Sequence, residues 1–442
     1  MSDLRDRFTS IRRRLGPCLP LVVAILLLAA KANAASEKVI YSFTGGSHGA
    51  QPNCALTWGI DGNLYGTTKL GGNLTACKSG CGTVFQLKYT GTGWQETVIF
   101  TFNGKDGAVP NSGVIFRGAE SLYGTTAFGG PDNNGVIFKL TENQNHTWSE
   151  TVIHAFRGLD DGNTPFGTPL FDDAGSLYGT TRFGPGKHEA GDGIVFELIP
   201  AGKSWSEKIL YEFKDSPDGA DPYAGLISDG KGTYYGTTFN GGIRSKKCLA
   251  STCGIVYSLT QSKTGKWEKQ TIYRFCSKPD CTDPGNPKDG VIFDDAGNLY
   301  GGTSENPGGD GSVYELSPNR DGTWSQKVLY AFHGQDGNDV DGGLLFDHAG
   351  DLFGATDVGG SFTVCTDGDG VAHYHHLGCG TIFRLSPDKS GNWTESVLHD
   401  LGGFGDGSHP RRVMVEGKIG KLYGVTNLGG EYGQGIVFEV TP

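Results

Sequence analysis

Residues 62–68 read Gly-Asn-Leu-Tyr-Gly-Thr-Thr, and the core of this stretch recurs along the whole chain. Its central aromatic residue returns at seven places, spaced 53 to 70 residues apart: Tyr65, Tyr123, Tyr178, Tyr235, Tyr300, Phe353 and Tyr423. A repeat of roughly this length is one supersecondary unit, which needs its neighbours to bury both of its faces. The sequence therefore predicts seven copies of one structural unit.

Each unit contains four short apolar stretches, named a, b, c and d below. In the second unit they cover residues 113–116, 122–126, 135–140 and 151–156, and they are rich in β-branched and aromatic side chains. Turn-forming clusters such as Asp-Asp-Ala-Gly-Ser at 172–176 separate them, which predicts antiparallel hairpins. Stretch d is expected to alternate, with one set of side chains facing the neighbouring sheet: Val98, Phe100 and Phe102, against Thr97, Ile99 and Thr101.

The two ends of the chain predict a closed ring. The last unit has stretches a (412–415), b (422–426) and c (435–440), and no d stretch before Pro442. Residues 38–43, Lys-Val-Ile-Tyr-Ser-Phe, match the d stretches at 208–213 and 327–332. We therefore expect an all-β protein, a closed seven-bladed β-propeller over residues 35–442 whose N-terminal strand completes the last blade.

The composition agrees with this fold and excludes others. The 442 residues include 73 Gly, 19 Pro and only 2 Met, which argues against a helical bundle. The 24 Phe, 17 Tyr and 7 Trp argue against disorder. The formal net charge of −11 repels phosphate backbones, so nucleic acid is not expected as a partner.

The units resemble the GloVer tandem repeat of secreted bacterial proteins over residues 37–442. The resemblance rests on Asp-Gly-x-x-Pro before stretch a, on residues 62–68 in stretch b, and on Gly-Thr-Val-Phe-x-Leu at 82–87 in stretch c. It implies a repeat architecture and no particular reaction. Family members often carry C-terminal sorting anchors, whereas this sequence stops two residues after stretch c, so release into the periplasm or medium is expected.

Residues 1–34 are predicted to be a signal peptide. Arg12, Arg13 and Arg14 precede a twelve-residue apolar run, and Ala32-Asn33-Ala34 follows it as a cleavage signature. A retained anchor is the alternative, but the run is too short to span a bilayer. We expect no membrane association after cleavage. The sequons at Asn73, Asn145 and Asn392 leave glycosylation open.

Eight cysteines form four local pairs, which predict disulfides in an oxidising compartment. Zinc is the alternative for such spacings. The pairs are Cys77 with Cys81, Cys248 with Cys253, Cys276 with Cys281, and Cys365 with Cys379. Cys54 is left over and is expected to be a buried free thiol and not a nucleophile.

The loops from b to c and from d to a contain the insertions, so ligand binding is predicted on their face, around the mouth of the central channel. The insertion in unit 6 is the most unusual. It lies between Cys365 and Cys379 and holds residues suited to a divalent metal or another ligand: Asp367, Asp369, His373, Tyr374, His375 and His376. A merely polar loop is the alternative. Apart from such a metal, no cofactor is predicted.

Three other patterns have structural explanations. The aspartates of Asp-Gly-x-x-Pro, such as Asp106 and Asp161, fit turns better than a ring of carboxylate ligands. The tryptophans before stretch d, such as Trp148, fit packing better than sugar stacking. Gly-Gly-Ser-His-Gly at 45–49 has the serine-hydrolase pattern without its strand-to-helix context.

Two function classes remain. The first is a secreted, monomeric binding module for an extracellular glycan, peptide or surface protein. The alternative is an extracellular hydrolase or lyase that acts on polysaccharide at the channel mouth. No catalytic residue is predicted, because the repeated residues have structural roles and no acid/base or nucleophile set stands out.

Overall fold

A ring of seven antiparallel sheets forms the fold, which confirms the seven-bladed β-propeller. The structure is a computed structural model that describes residues 35–158, 161–185, 192–304, 308–366, 372–374 and 377–442. Residues 36–442 form one compact unit. The described residues contain four short 3₁₀ turns, namely Gly46–His48, Leu249–Ser251, Pro279–Cys281 and Lys418–Gly420. None of the helical segments among the described residues has the length and hydropathy of a membrane span.

The strands follow the predicted order a, b, c, d in every blade. In blades 1 to 3 they are Ala50–Pro52 with Thr57–Trp58, Leu64–Leu70, Thr83–Tyr89 and Trp94–Thr101; Ile115–Phe116, Ser121–Thr126, Val136–Glu142 and Trp148–Ala155; Asn163–Pro165 with Leu170–Phe171, Leu177–Phe183, Ile194–Ala201 and Ser204–Glu212. In blades 4 and 5 they are Ile227–Ser228, Thr233–Thr238, Ile255–Gln261 and Trp267–Arg274; Ile292–Phe293, Leu299–Thr303, Ser312–Pro318 and Trp324–Ala331. In blades 6 and 7 they are Leu345–Phe346, Leu352–Thr356, Thr381–Pro387 and Trp393–Asp400; Gly407–Pro410 with Val415–Glu416, Leu422–Gly429, Ile436–Thr441 and Ser36–Ser42. A separate hairpin, Val364–Thr366 with Ala372–Tyr374, lies in the loop between strands b and c of blade 6.

The N-terminal strand closes the ring, as predicted. Ser36–Ser42 pairs antiparallel with Ile436–Thr441, so the first and last strands of the chain share blade 7. Phe43 is fully buried directly after this strand, and its ring lies 5.1 Å from that of Phe85 in blade 1. The closing strand therefore connects the last blade to the first.

Strand a differs from the prediction, because it is interrupted in its middle. In blade 2 the sequence predicts a strand over residues 113–116, but the strand that pairs with strand b there covers only Ile115–Phe116. The intervening backbone bonds to neighbouring blades: Thr67 Oγ1 donates to the carbonyl of Ser112 at 2.8 Å, and the amide of Gly113 donates to Thr168 Oγ1 at 3.2 Å. In the middle of strand a, hydrogen bonds to neighbouring blades thus replace hydrogen bonds within the sheet.

Strand d also departs from the prediction, because its alternation is broken by a β-bulge. In blade 1, Val84 pairs with Phe100 and Phe85 pairs with Val98, so Ile99 is the extra residue. The same register shift occurs in all seven blades. A bulge increases the local twist of a strand. Residues after it face a different neighbour from the one that strict alternation predicts.

The repeated Tyr-Gly-Thr-Thr sequence has a packing explanation at each residue. The OH of Tyr65 donates to Asp61 in the a–b turn at 2.9 Å. A Cβ on Gly66 would lie 2.6 Å from Cζ of Phe85 on strand c, so only glycine fits there. The next two positions form hydrogen bonds: Thr67 reaches the next blade, and Thr68 Oγ1 donates to the carbonyl of Leu70 at 3.0 Å.

A second repeated contact joins each blade to the next. Gly435, which precedes strand c of blade 7, has φ of +93°, and a Cβ on it would lie 2.6 Å from Cδ of Pro52 in blade 1. The amide of Gln51 donates to the carbonyl of Gln434 at 2.8 Å. Equivalent glycine–proline contacts occur at five other junctions: Gly82–Pro110, Gly135–Pro165, Gly193–Pro222, Gly254–Pro287 and Gly380–Pro410. At the seventh junction, Val340 takes the place of the proline beside Gly311.

All four predicted disulfides are present: Cys77–Cys81, Cys248–Cys253, Cys276–Cys281 and Cys365–Cys379. Cys54 is free and buried, and burial raises the pKa of its thiol to about 11. A thiol with so high a pKa is a poor nucleophile. The disulfides indicate an extracellular or periplasmic environment.

Candidate functional site at the channel entrance

The central channel is lined by strand a segments from all seven blades, from Ala55 in blade 1 to Arg412 in blade 7. It contains a cavity of about 230 Å³ with mostly apolar walls, including Phe166, Leu226 and Leu344. Strand a is therefore the innermost strand. The residues that precede it stand at the channel entrance, on the side of the b–c and d–a loops.

Seven residues in the left-handed region surround this entrance, one in each blade. They have φ between 54° and 63°: Gln51, Val109, Thr164, Asp221, Asn286, Asp339 and His409. This conformation is strained for residues other than glycine. The junction described above stabilises this strained conformation. The amide of each of the seven residues donates a hydrogen bond to a backbone carbonyl of the preceding blade at 2.8 to 3.1 Å. The backbone is thus fixed in the same way seven times, whereas the side chains it presents differ.

Two positions further along, a second set of seven residues follows. We name it the entrance ring: Asn53, Asn111, Phe166, Tyr223, Lys288, Asp341 and Arg411. Several neighbouring members are in contact. Nδ2 of Asn53 donates to Asn111 at 3.3 Å, the rings of Phe166 and Tyr223 are 5.2 Å apart, and Lys288 Nζ lies 3.9 Å from Asp341.

One side of the entrance is an ion-pair network. The Arg411 guanidinium binds Asp357 through two hydrogen bonds of 2.9 Å, and its Nε lies 3.7 Å from Asp341 Oδ2. His409 Nδ1 lies 3.3 Å from Asp357 Oδ1. From the preceding blade, Lys288 Nζ binds Asp339 and lies 3.9 Å from Asp341. Three carboxylates, Asp339, Asp341 and Asp357, therefore share the two cations Lys288 and Arg411 with the imidazole of His409.

The two carboxyl groups in this network differ in acidity. Burial raises the pKa of Asp341 to about 6, although Lys288 opposes the shift. Burial also acts on Asp357, but hydrogen bonds from His409 and Arg411 outweigh it and hold its pKa well below the ordinary value. Asp341 therefore takes up a proton more readily than Asp357 as the pH falls.

The other side of the entrance combines aromatic rings with guanidinium groups. Arg182 lies 4.6 Å from the ring centre of Tyr223, and its Nε donates to Asp221 at 2.6 Å. Arg412 lies 5.5 Å from the ring centre of Phe166. Such surfaces offer a flat apolar face beside charged hydrogen-bonding groups.

Several polar atoms near the entrance are buried and have no partner among the described residues. They are Asn53 Oδ1, Ser304 Oγ, Asp339 Oδ1 and Asn427 Oδ1. A buried oxygen without a hydrogen bond costs about 1–3 kcal/mol. A polar ligand or ordered water would satisfy these atoms.

The predicted site in unit 6 is only partly described. Asp367, Asp369, His375 and His376 lie outside the described residues. His373 and Tyr374 belong to the short strand Ala372–Tyr374, where His373 pairs with Cys365. Metal or ligand binding by this insertion stays a prediction.

Two structural interpretations agree with the geometry. Asp161 accepts the amides of Arg157 and Gly158 at 2.8 and 3.1 Å, as expected for a turn residue. The ring of Trp148 lies 6.3 Å from that of Tyr65 in the preceding blade, as expected for packing.

The sequence pointed to the channel mouth but not to the residues that form it. A signal was present: the position after the proline of Asp-Gly-x-x-Pro holds Asn, Phe, Tyr or Arg within an otherwise repeated context. Variation at one position of a constant repeat indicates a role other than folding. The pairing of Arg411 with Asp357, 54 residues away, could not be read from sequence.

A second cavity of about 830 Å³ lies on the opposite face, between blades 7 and 1. Trp58, Trp94 and Tyr423 line it with ring centres 5.3 to 6.3 Å apart. The turn residues Ile60 and Ile419 beside it are strongly exposed. This cleft is a competing site for a ligand with an apolar face.

A family model described as the Gloeobacter/Verrucomicrobia repeat matches the chain in three overlapping regions, residues 27–188, 137–366 and 245–442. Among curated proteins, none matches the sequence. A solved fungal alcohol oxidase of the AA5 family, in complex with copper, is similar in fold with a TM-score of 0.51. It is 10% identical, and the similarity covers 93% of this chain and 77% of the oxidase.

Two further solved structures are more distant. A protein of unknown function from Dyadobacter fermentans has a TM-score of 0.43 at 13% identity, over 92% of this chain and 98% of the other. PorZ, a surface component of the type-IX secretion system of Porphyromonas gingivalis, has a TM-score of 0.37 at 13% identity, over 81% of this chain and 41% of PorZ. At such identities the likeness is one of fold and carries no function.

Proposed function

The chain belongs to the Gloeobacter/Verrucomicrobia repeat family, and from this premise we propose that it is an exported binding module that takes a polar ligand, in the first place a glycan, at the channel entrance. One observation carries the proposal. The seven blades repeat the same strained backbone at the entrance, yet they present seven different combinations of side chains. A scaffold alone gives no reason for that variety, whereas an asymmetric ligand does.

The entrance suits a sugar better than an extended apolar peptide. The rings of Tyr223 and Phe166 offer flat faces for the C–H side of a pyranose, and Arg182 lies within reach of its hydroxyl groups. The unpartnered oxygens of Asn53 and Ser304 are acceptors for further hydroxyl hydrogens. Peptide and surface-protein ligands are the less favoured classes.

Export is part of the proposal. Residues 1–34 would act as a signal peptide, and the four disulfides would then form outside the cytoplasm. We propose that the released protein acts as a monomer. The N-terminal sequence of the protein recovered from the periplasm or medium tests the cleavage, with Ala35 expected as the first residue.

A glycan array followed by calorimetry on the hits tests the ligand class. Tyr223→Ala is expected to weaken binding about 30-fold, the loss of about 2 kcal/mol typical of a central aromatic contact. Ile419→Ala, at an exposed turn on the opposite face, is the control and should bind as the intact protein does.

Two results would contradict this proposal. If the intact protein binds no glycan, the ligand class is wrong. If Tyr223→Ala binds normally and Trp58→Ala does not, the ligand occupies the cleft on the opposite face.

The unequal acidity of Asp341 and Asp357 supports the second candidate function, a glycoside hydrolase. Hydrolysis of a glycoside needs one carboxylic acid and one carboxylate, and Asp341 with a pKa of about 6 can supply the acid. Asp341→Asn should then abolish turnover of polysaccharide near pH 6 while glycan binding persists. Absence of turnover by the intact protein on substrates that it binds would exclude this candidate.

A further inference from the structure

Away from the entrance, the outer strands d meet in pairs at the seven junctions between blades, and each junction repeats the same three positions. The first is the strand d residue directly after the bulge. The second is a residue of the following d–a loop, in most blades an aspartate. The third lies near the start of strand d in the next blade.

The first position holds tyrosine at four junctions, phenylalanine at one and histidine at two. The residues are Tyr41, Tyr211, Tyr273 and Tyr330; Phe100; His154 and His399. Where it is tyrosine and the loop holds an aspartate, the hydroxyl donates to that carboxylate, as Tyr330 does to Asp336 at 2.6 Å. At both junctions with histidine, the other two positions hold carboxylates. His154 lies beside Asp161 and Glu207, and His399 lies beside Asp406 and Glu37.

The distances within both trios fit a small divalent ion. His399 Nε2 lies 3.0 Å from Asp406 Oδ2 and 4.0 Å from Glu37 Oε2. In the other trio, His154 Nε2 lies 3.5 Å from Asp161 and 3.8 Å from Glu207. Ligand atoms bound tetrahedrally to zinc at about 2.0–2.2 Å are about 3.4 Å apart. Only small side-chain adjustments would bring each trio onto one ion.

In the described part of the chain, both trios contain an unsatisfied glutamate oxygen, Oε1 of Glu37 and of Glu207, and the corresponding Glu96, Glu150 and Glu395 share this feature at other junctions. The side chain of Glu37 is only 9% exposed, and its Oε1 has no hydrogen-bond partner among the described residues. Asp406 is already held in place by the amide of Gly402 at 3.0 Å. A cation beside His399 would compensate the buried charge of Glu37.

We propose that the two histidine–aspartate–glutamate trios, Glu37 with His399 and Asp406, and His154 with Asp161 and Glu207, each bind a divalent transition-metal ion, zinc being the best fit. Imidazole and carboxylate are borderline-to-hard ligands that zinc accepts, and water would complete the tetrahedron. The first site joins strand d of blade 6 to the N-terminal strand, so the metal would fasten the strand that closes the ring. The second site is expected to be weaker, because Arg157 Nε approaches Asp161 at 3.3 Å and competes for its carboxylate.

Zinc titration of the chelator-treated protein by calorimetry tests this proposal. The test variants His399→Tyr and His154→Tyr carry the residue that four other junctions use, so they are expected to fold. Each should lose one zinc site, and the double variant should lose two. Tyr330→His should gain one site, because Asp336 and Glu395 occupy the carboxylate positions of that junction.

The histidines of the unit 6 insertion are present in every variant, so any zinc they bind cancels when the variants are compared. Zinc should also raise the thermal midpoint of the intact protein, and His399→Tyr should lose more of this gain than His154→Tyr. If the double variant binds as many zinc ions as the intact protein, the proposal is wrong. If the intact protein binds no zinc, the imidazoles are only polar neighbours of the carboxylates, and the proposal is also overturned.

Discussion

Replacing Gly435 by alanine should destabilise the propeller in two separable ways. The residue has φ of +93°, and an L-residue in the left-handed region costs about 1–2 kcal/mol. The new Cβ would also lie 2.5 Å from the carbonyl oxygen of Thr426 and 2.6 Å from Cδ of Pro52. Overpacking of this kind costs about 1–3 kcal/mol. The expected total is about 2–5 kcal/mol.

Gly297 provides the matched control for the backbone contribution. Its φ is +87°, and a Cβ there would meet nothing within 4 Å. Gly297→Ala should therefore lose only about 1–2 kcal/mol. Urea unfolding followed by tryptophan fluorescence gives both values, and the difference between the variants measures the overpacking against Thr426 and Pro52 together.

Removing the other partner of the contact completes the test. Pro52→Ala in the Gly435→Ala background should recover part of the difference, because the Cδ atom that the new methyl group meets is gone. If Gly435→Ala and Gly297→Ala are equally stable, the glycine–proline contact does not hold the blades together. The repeated pair would then reflect turn geometry alone.

Four other measurements test further parts of the structure. In the chelator-treated protein, lowering the pH from 8 to 5.5 should raise the thermal midpoint, because burial raises the pKa of four glutamates to about 7: Glu37, Glu150, Glu207 and Glu395. A carboxyl group with a raised pKa binds its proton more readily in the folded state, so the stability it contributes is lost as the pH rises from its unfolded pKa through 7. A flat profile would contradict these shifts. Peptide mapping without reduction should recover the four disulfides described above, with Cys54 alkylated only after unfolding; a bridge between blades would refute their local character. Arg411→Met should lower the free energy of unfolding by about 3–5 kcal/mol, because Asp357 and Asp341 are left with one cation fewer. Adding Asp357→Asn to this variant should recover part of the loss; no recovery would show that Arg411 and Asp357 are not coupled. Phe43→Ala should lose about 3–5 kcal/mol, as Phe102→Ala should in an interior blade, whereas a much smaller loss would mean that the closing strand is loosely held.

Sequence reasoning succeeded where a contact is repeated. Gly66 and Thr68 recur in all seven units and Tyr65 in six of them, so one pattern reveals every copy and the number of blades. The match between 38–43 and the other d stretches predicted closure, because a missing strand is visible against six complete units. The local cysteine pairs were predicted for the same reason, since both partners lie within one loop.

Sequence reasoning failed where a backbone irregularity changes the direction in which a side chain points. Strict alternation did not anticipate the bulge at Ile99 and its six counterparts, because the isoleucine or leucine found there is equally common in a regular strand. That bulge determines where His154 and His399 lie, so their carboxylate partners were missed. Strand a was predicted too long, because its middle bonds to other blades and the sequence of one blade does not contain those partners.

Pairing of the N-terminal strand with the last strand imposes an order on folding. The ribosome releases residues 36–42 well before residues 436–441, so the first strand of the propeller has no partner until the intervening blades have been made. Six blades can form progressively from neighbouring segments, but the ring can close only in a final, long-range step. Until then an unpaired strand edge is exposed at each end, and both edges disappear together in that single event.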